Sequence, residues 1–444
     1  MAKTFKVLSS TFVAALLISG IGVVTPSFAE PGDGSEVEVV SCKATKAMEK
    51  STLGKFHAYV INVDTGKVVI DINGTELTPS ASVMKTLTAV AALQKLPEDY
   101  RASTQVLRVP EEPGTLVLKG GGDYTLSRLA VGQYSTYSKP AKLRNLVKTT
   151  LAALPVDGLI NKIILDSTFF EGPSWNPDWL PSYRTLGYVS HITALQADGD
   201  RLNPDLTSTS YSFRRGIDPV TKTGKLFRTG LGEVASGAEI VIAETPATAE
   251  VIAEVFAQPL RAVWLDHMLT YSDNTGSEFI ARHAAKAAGI EPSILGTSKV
   301  IKQSLREIGL KPKALVIRDA SGLSDNNRLN AKFMAELMAK VAKDENGLGL
   351  LKQWMPVAGE SGTLKYRFQG TSAIARGQVI AKTGYIPGLY GLSGIVTAED
   401  GSTLAFTVFA RADPENGKSV TYTAQGAIDK VVTRFYLCGA NLSQ

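Results

Sequence analysis

The sequence predicts an α/β fold in which an antiparallel sheet packs on a cluster of helices, with a large insertion splitting the parent domain. Three observations predict it: hairpin chemistry near the start of the chain, three consecutive strand-like runs near its end, and a middle stretch patterned unlike either.

Phe56 to Val63 is rich in β-branched and aromatic residues, Asp64-Thr65-Gly66-Lys67 is turn chemistry, and Val68 to Ile72 is apolar again, which reads as a β-hairpin. After Pro79, the segment Ser82 to Leu96 carries Val83, Met84, Leu87, Val90, Ala91 and Leu93 with no internal Gly or Pro. A buried helix starting near Ser82 is expected. From about 98 to 255 the chain offers short strands (Thr115 to Lys119, Ile160 to Leu165, Glu239 to Ala243) and one clear amphipathic helix, Leu143 to Leu154. That stretch reads as an insertion. A helix from Ala331 to Lys343 returns to the parent fold, and Val379 to Tyr385, Leu389 to Ala398 and Thr403 to Phe409 suit an antiparallel meander. Ala424 to Tyr436 sets Ile428, Val431, Val432 and Phe435 on one face, to pack on that sheet. A single sheet joining hairpin and meander would bring the two ends of the chain together.

The ends carry their own signals. Lys3 and Lys6 precede an apolar stretch from Phe12 to Val24 and then Ser27-Phe28-Ala29, the pattern of a secretory signal cleaved after Ala29. Ser19, Gly20 and Gly22 interrupt an apolar run too short for the ~20 residues of a membrane span, so no stable span is expected once residues 1–29 are removed. Cleavage would leave 415 residues, enough for two or three domains, and lower the formal charge from +5 to +3. No Lys/Arg block forms a nucleic-acid footprint, which favours a small or polymeric substrate over a polyanion. Cys42 and Cys438 lie near opposite ends; export would let them pair, and two buried free thiols are the alternative. With His57, His191, His267 and His283 scattered, no metal-ligand spacing emerges and no cofactor is expected.

Three short motifs carry chemistry together. Ser82-Val83-Met84-Lys85 is the only Ser-x-x-Lys in the chain. Positions i and i+3 share a helix face, so the Lys85 amine reaches the Ser82 hydroxyl, and a lysine withdrawn from water loses its proton near neutral pH and serves as the base that an alcohol nucleophile needs. An isolated match of this kind is more often helix capping. Ser272-Asp273-Asn274 precedes the helical run Ser277 to Ala287 and is preferred over a second copy, Ser324-Asp325-Asn326, which sits in a loop. The Ser272 hydroxyl could relay a proton, and the Asn274 amide could hold Lys85 and a substrate carbonyl. Lys382-Thr383-Gly384 opens the meander and is preferred over Lys222-Thr223-Gly224, a copy in a polar stretch that reads as turn chemistry. On the strand Lys382 supplies positive charge, Thr383 a hydroxyl for a carboxylate, and Gly384 room for a substrate backbone. The backbone N–H groups of Ser82 and Tyr385 are candidates for an oxyanion hole.

The ordered set Ser-x-x-Lys, Ser-Asp-Asn, Lys-Thr-Gly is that of penicillin-binding proteins and class A β-lactamases. With Leu118-Lys119-Gly120-Gly121-Gly122-Asp123-Tyr124-Thr125-Leu126, Asp319-Ala320-Ser321-Gly322-Leu323-Ser324 and Pro356-Val357-Ala358-Gly359-Glu360-Ser361-Gly362-Thr363-Leu364, the chain resembles the D-alanyl-D-alanine carboxypeptidase/endopeptidase family of penicillin-binding protein 4 type, peptidase family S13. The 187 positions from Lys85 to Ser272 exceed the spacing of a β-lactamase and match a family with two inserted domains.

The resemblance implies a penicillin-recognising serine-transferase (β-lactamase/transpeptidase-like) domain formed by 30–97 and 256–444, with inserted domains II and III in 98–255. It implies an exported enzyme, acting in the periplasm or cell-wall space without cofactor or metal. Its partners would be peptidoglycan stem peptides ending in D-Ala-D-Ala and β-lactams, both acylating Ser82. Lys85, Ser272, Asn274 and Lys382 would share the catalysis, and Thr383, Gly384, Tyr385 and Asp273 would meet the substrate. Tyr385 departs from the small hydroxylated residue usual after Lys-Thr-Gly and is expected to alter carboxylate recognition or narrow the cleft. Two other readings are a β-lactamase or esterase on the same fold, for which no deacylating group stands out, and a non-catalytic wall-binding homologue.

Overall fold

The computed structural model describes residues 42–43, 48–133, 135–155, 158–204 and 214–443. The expected signal segment, residues 1–29, lies outside them. The chain opens with β1 (Lys55–Asn62) and β2 (Val68–Ile72), and helix α1 (Met84–Lys95) follows. Next come β3 (Ser103–Arg108), β4 (Thr115–Gly120), α2 (Leu143–Ala153), β5 (Lys162–Asp166), α3 (Pro219–Leu231), β6 (Glu239–Ile242) and β7 (Glu250–Phe256). Helices α4 (Leu265–Tyr271), α5 (Asn274–Ala287), α6 (Ile294–Glu307) and α7 (Ala331–Ala342) precede β8 (Val379–Ile386), β9 (Leu389–Thr397), β10 (Thr403–Arg411) and the last helix, α8 (Thr423–Cys438).

The early hairpin and the late meander form one five-stranded sheet in the order β2-β1-β10-β9-β8. β1 pairs antiparallel with β10 from Lys55↔Arg411 to Asn62↔Leu404, so the first and last thirds of the chain meet at the sheet's centre. Alternation along the strands assigns the two faces. Phe56, Ala58 and Val60 of β1 pack with Ile428, Val431, Val432 and Phe435 of α8. Tyr59 and Ile61 point the other way, into the helical cluster with Leu87 and Val90 of α1 and Met334 and Leu337 of α7. Helix α1 is buried on nearly every side, from Met84 to Leu93. At the sheet's end, Cys42 and Cys438 form a disulfide with their Cα atoms 5.5 Å apart, so the free-thiol alternative is set aside.

The five strands of the second sheet run from Ser103 to Phe256 in the order β6-β5-β4-β3-β7. β4, β5 and β6 are parallel, linked through α2 and α3, while β3 is antiparallel to β4 and β7. Leu146 of α2 and Phe227 of α3 bury against Val106, Leu118, Ile163 and Leu165. Helix α3 and strands β3 and β7 add to the elements expected here. Lys222-Thr223-Gly224 therefore stands in a helix, where sequence reading placed a turn. Gly224 is there for packing, because a Cβ at that position would lie 2.5 Å from Leu165 Cδ1. Among the described residues no helix is long and apolar enough to cross a membrane.

Candidate active site

The site forms where β8, the edge strand of the first sheet, meets the start of α1. Residues Ala81–Val83 make a tight 3-10 turn that feeds directly into α1. Ala81 holds φ 43°, a left-handed conformation that a residue with a Cβ adopts only under constraint. The constraint is visible. Gly322, at φ 84°, presses on the turn so closely that a Cβ there would lie 1.8 Å from the Ala81 carbonyl oxygen. Thr88 Oγ1 donates to the Ala320 carbonyl at 2.7 Å, fixing the same loop to α1.

One turn of helix places Lys85 beside Ser82. The fully buried Lys85 Nζ lies 2.8 Å from Ser82 Oγ, 2.7 Å from Asn274 Oδ1 and 2.6 Å from the Ser321 carbonyl oxygen. Burial lowers its pKa to about 7, against the opposing pull of Asp319, Asp273 and Glu278. The donor count then decides orientation. A neutral amine has two N–H bonds and one lone pair; two carbonyl oxygens can only accept, so the lone pair is left for the Ser82 hydroxyl.

Each acceptor is itself held. Asn274 opens α5, and its Nδ2 donates to the Tyr188 carbonyl at 3.1 Å, which leaves Oδ1 facing Lys85. Glu278, one turn along α5, accepts from the N–H groups of Ala320 and Ser321 at 3.0 and 2.9 Å, setting the direction of the Ser321 carbonyl. Burial and the Asp319 charge push the Glu278 carboxyl up to about 8. Asp319 gathers the loop, accepting from Gly322 N, Ser324 N, Asn327 Nδ2 and Trp179 Nε1 at 2.7–2.9 Å.

Across the cleft, Lys382 Nζ donates to Ser272 Oγ and to the Thr383 carbonyl, both at 2.9 Å. Burial, and then the nearby Lys85, drive its pKa well below the usual lysine value. Ser272 caps α4 in the left-handed conformation, φ 61°, which aims its hydroxyl at Lys382. Gly384 meets the 81–83 turn: a Cβ there would sit 3.2 Å from Ala81 Cβ and 3.3 Å from Val83 Cγ1. Strand alternation sends Thr383 and Tyr385 to the opposite face from Lys382. Thr383 Oγ1 lies 2.8 Å from Thr363 Oγ1, and the half-exposed Tyr385 ring rests 4.8 Å from that of Tyr390. Among the described residues no group of three or more His, Cys, Asp or Glu is placed to hold a metal ion.

A family model described as D-Ala-D-Ala carboxypeptidase 3 (S13) matches residues 41–213 and 209–435. The chain belongs to the S13 family. It is 31% identical over 397 residues to Carboxypeptidase DacB of Mycolicibacterium smegmatis, covering 88% of this chain and 83% of that one. It is also 31% identical over 392 residues to Carboxypeptidase Rv3627c of Mycobacterium tuberculosis, covering 87% and 81%. The fold superimposes on penicillin binding protein 4 (dacB) of Haemophilus influenzae with a TM-score of 0.71 at 21% identity, covering 89% of this chain and 98% of that one.

Within this S13 chain the preferred copies of all three motifs converge on one cleft, and the rejected copies do other work. Lys222 pairs with Asp200 at 2.9 Å, and Ser324 Oγ donates to Asp178 at 2.8 Å. Asp273, expected among the substrate contacts, is buried and turned away from the cleft, with Oδ2 3.5 Å from His267 Nε2. Burial alone would raise its pKa, but His267, Arg215 and Arg201 together hold it below the usual carboxylate range. Sequence reasoning missed the supporting groups: the carbonyls of Tyr188 and Ser321, which have no side-chain signature, and Glu278, Asp319 and His267. For Asp319 the quoted run Asp319 to Ser324 was the available signal.

Proposed function

We propose that this S13 enzyme is a serine D-alanyl-D-alanine carboxypeptidase in which Ser82 is the acylated nucleophile. The observation that carries the reading is the buried Lys85 amine, whose two carbonyl acceptors leave its lone pair for Ser82. Lys85 takes the hydroxyl proton as Ser82 Oγ attacks the carbonyl carbon of the penultimate D-Ala of a cell-wall stem peptide. The backbone N–H groups of Ser82 and Tyr385 meet the oxyanion. The C–N bond then breaks, and the departing amine receives the proton that Lys85 took from Ser82, relayed through Ser272 and Lys382, which leaves Lys85 the free base again. Water, deprotonated by the same network, hydrolyses the ester and restores Ser82.

Lys382 receives the substrate's terminal carboxylate, with Gly384 admitting the peptide backbone, while Thr383, on the other face of the strand, meets Thr363. Two buried ammonium groups this close disfavour each other, so a carboxylate that stabilises the charged form of Lys382 also drives Lys85 toward the free base. Asp273 is assigned a positioning role, anchoring the turn that presents Ser272 and Asn274. A domain division at 30–97 with 256–444, and 98–255 inserted, gives the insertion a direct part in this anchoring through Tyr188, Arg201 and Arg215. The disulfide and a substrate in the wall suit an exported protein. A β-lactam, which the Haemophilus influenzae protein is seen to bind, mimics the acylating substrate.

Intact-mass analysis after incubation with a penicillin tests the assignment. The wild-type chain should gain one penicilloyl mass and Ser82→Ala none. An adduct on the variant refutes it in favour of another nucleophile, and none on the wild type refutes it in favour of a non-catalytic homologue.

A further inference from the structure

On the α8 face of the first sheet, away from Ser82, an open groove of about 590 Å³ runs between the start of α8 and the loop that follows Thr363. Its lining includes Tyr366, Gln369, Tyr422, Gln425, Lys50 and Lys430. Among the described residues, Tyr366 and Tyr422 are the most exposed large hydrophobic side chains, at 80% and 78%. Lys365 Nζ lies 5.4 Å from the Tyr366 ring centroid, and the greater part of both rings stands in solvent.

The groove is rigidly built. Arg367 Nη2 and Nε clasp the Asp429 carboxylate at 2.6 to 3.1 Å, and Asp429 Oδ2 also accepts from Phe368 N at 3.0 Å. Leu364 and Phe368, on either side of Tyr366, are buried in the core cluster that includes Ile428. These contacts tie the loop to α8 and hold Tyr366 out to solvent opposite the α8 start, so a ligand meets a preformed wall.

The chemistry selects the ligand. A sugar ring offers an apolar C–H face to an aromatic ring and hydroxyl or N-acetyl groups to side-chain amides, which matches tyrosines beside Gln369 and Gln425. The exposed Lys50 and Lys430 suit a polymer that also carries carboxylates. The loop that carries the groove starts at the catalytic strand: Thr363 Oγ1 lies 2.8 Å from Thr383 Oγ1, and Tyr366 follows Thr363 by three residues, so the Cα atoms of Thr363 and Tyr366 are at most ~11 Å apart.

We propose that this groove binds the glycan strand from which the stem peptide hangs, a polymer of N-acetylated amino sugars bearing acidic peptides. The proposal rests on the reading of the Ser82 centre as a wall peptidase, and its test is separable from that reading. The double variant Tyr366→Ala/Tyr422→Ala is compared with wild type for binding of peptide-free peptidoglycan glycan chains by calorimetry, and for D-Ala release from intact peptidoglycan and from a soluble peptide ending in D-Ala-D-Ala. The expected result is glycan binding weakened by about tenfold or more and slower release from the polymer, with peptide turnover, penicillin acylation and melting temperature unchanged. Ser82→Ala should bind the glycan like wild type, so a failed penicillin experiment leaves this one readable. Wild type that ignores the glycan, a variant that binds it equally, or loss of turnover on polymer and peptide alike overturns the proposal. Occupation of the groove by a second copy, seen as a dimer that the double variant dissolves while the wild type ignores glycan, also overturns it.

Discussion

The base assignment predicts a particular pH profile for acylation. Burial takes Lys85 from 10.5 to about 7, so at pH 7 roughly a thousandfold more of it is free amine than of an unshifted lysine. The rate of acylation should follow that fraction. Rising pH deprotonates Lys85, so the rate climbs with unit slope on a log scale below about pH 7 and levels off above it. At pH 6 it should stand near one-tenth of the plateau, and at pH 5 near ~1%. Lys85→Arg keeps a charged side chain but cannot lose a proton near neutrality, so its rate should fall by ~10²–10⁴ and lose the rising limb. Stopped-flow labelling with a fluorescent penicillin, under single-turnover conditions from pH 5 to 8.5, measures both. A flat wild-type profile, or Lys85→Arg within tenfold of wild type, would sink the assignment of Lys85 as base. Folding of the variant is checked by its melting temperature, so that loss of structure is not read as loss of chemistry.

Two further outcomes follow from the groups that hold Lys85 in place. Glu278 is raised from 4.5 to about 8, so below pH 4.5 folded and unfolded chains both carry its proton, between 4.5 and about 8 only the folded one keeps it, and native stability falls with rising pH through that window. Glu278→Gln, whose amide oxygen can accept from Ala320 and Ser321 as the carboxyl does, should therefore melt close to wild type at pH 5 and above it at pH 9; calorimetry at the two pH values reads the crossover, and a variant less stable at pH 9 contradicts it. Gly322→Ala would force a Cβ into the Ala81 carbonyl at a left-handed φ, and should cost ~2 kcal/mol or more of stability and at least ~10²-fold in acylation by displacing the Ser82 turn; acylation within threefold of wild type would show that the turn's strain is irrelevant to catalysis.

The parts legible in the sequence were those whose signal is local. The β1–β2 turn, the alternation in the meander and the unbroken apolar face of α1 each declare themselves within a dozen residues, and Ser82 and Lys85 meet because a helix always brings i and i+3 together. What stayed hidden depends on partners far along the chain. β3 and β7 carry polar residues such as Gln105, Arg108, Glu250 and Glu254 that make sense only as cross-strand pairs, Gln105 to Glu254 and Arg108 to Glu250. Helix α3 is rich in Thr and Gly, and its strongest local sign, Asp218 capping Thr221 ahead of Pro219, was outweighed by the look of a turn. The surroundings of Asp273 stayed hidden for the same reason. Its companions Arg201 and Arg215 come from the stretch between β5 and α3, far along the chain, and nothing in a three-residue motif says which way its carboxylate faces.

The bond between Cys42 and Cys438 makes 397 residues of the chain a covalent ring, since 396 positions separate the two sulfurs in sequence. A proteolytic cut anywhere inside that ring, including the stretch 205–213 between the segments that bear Arg201 and Arg215, linearises the molecule without dividing it. For a cut between residues 82 and 382, Ser82 would lie on one side and Lys382 on the other, each still tethered to its counterpart through the far end of the sheet. The topology means that a single break in the middle of the chain does not by itself scatter the catalytic residues.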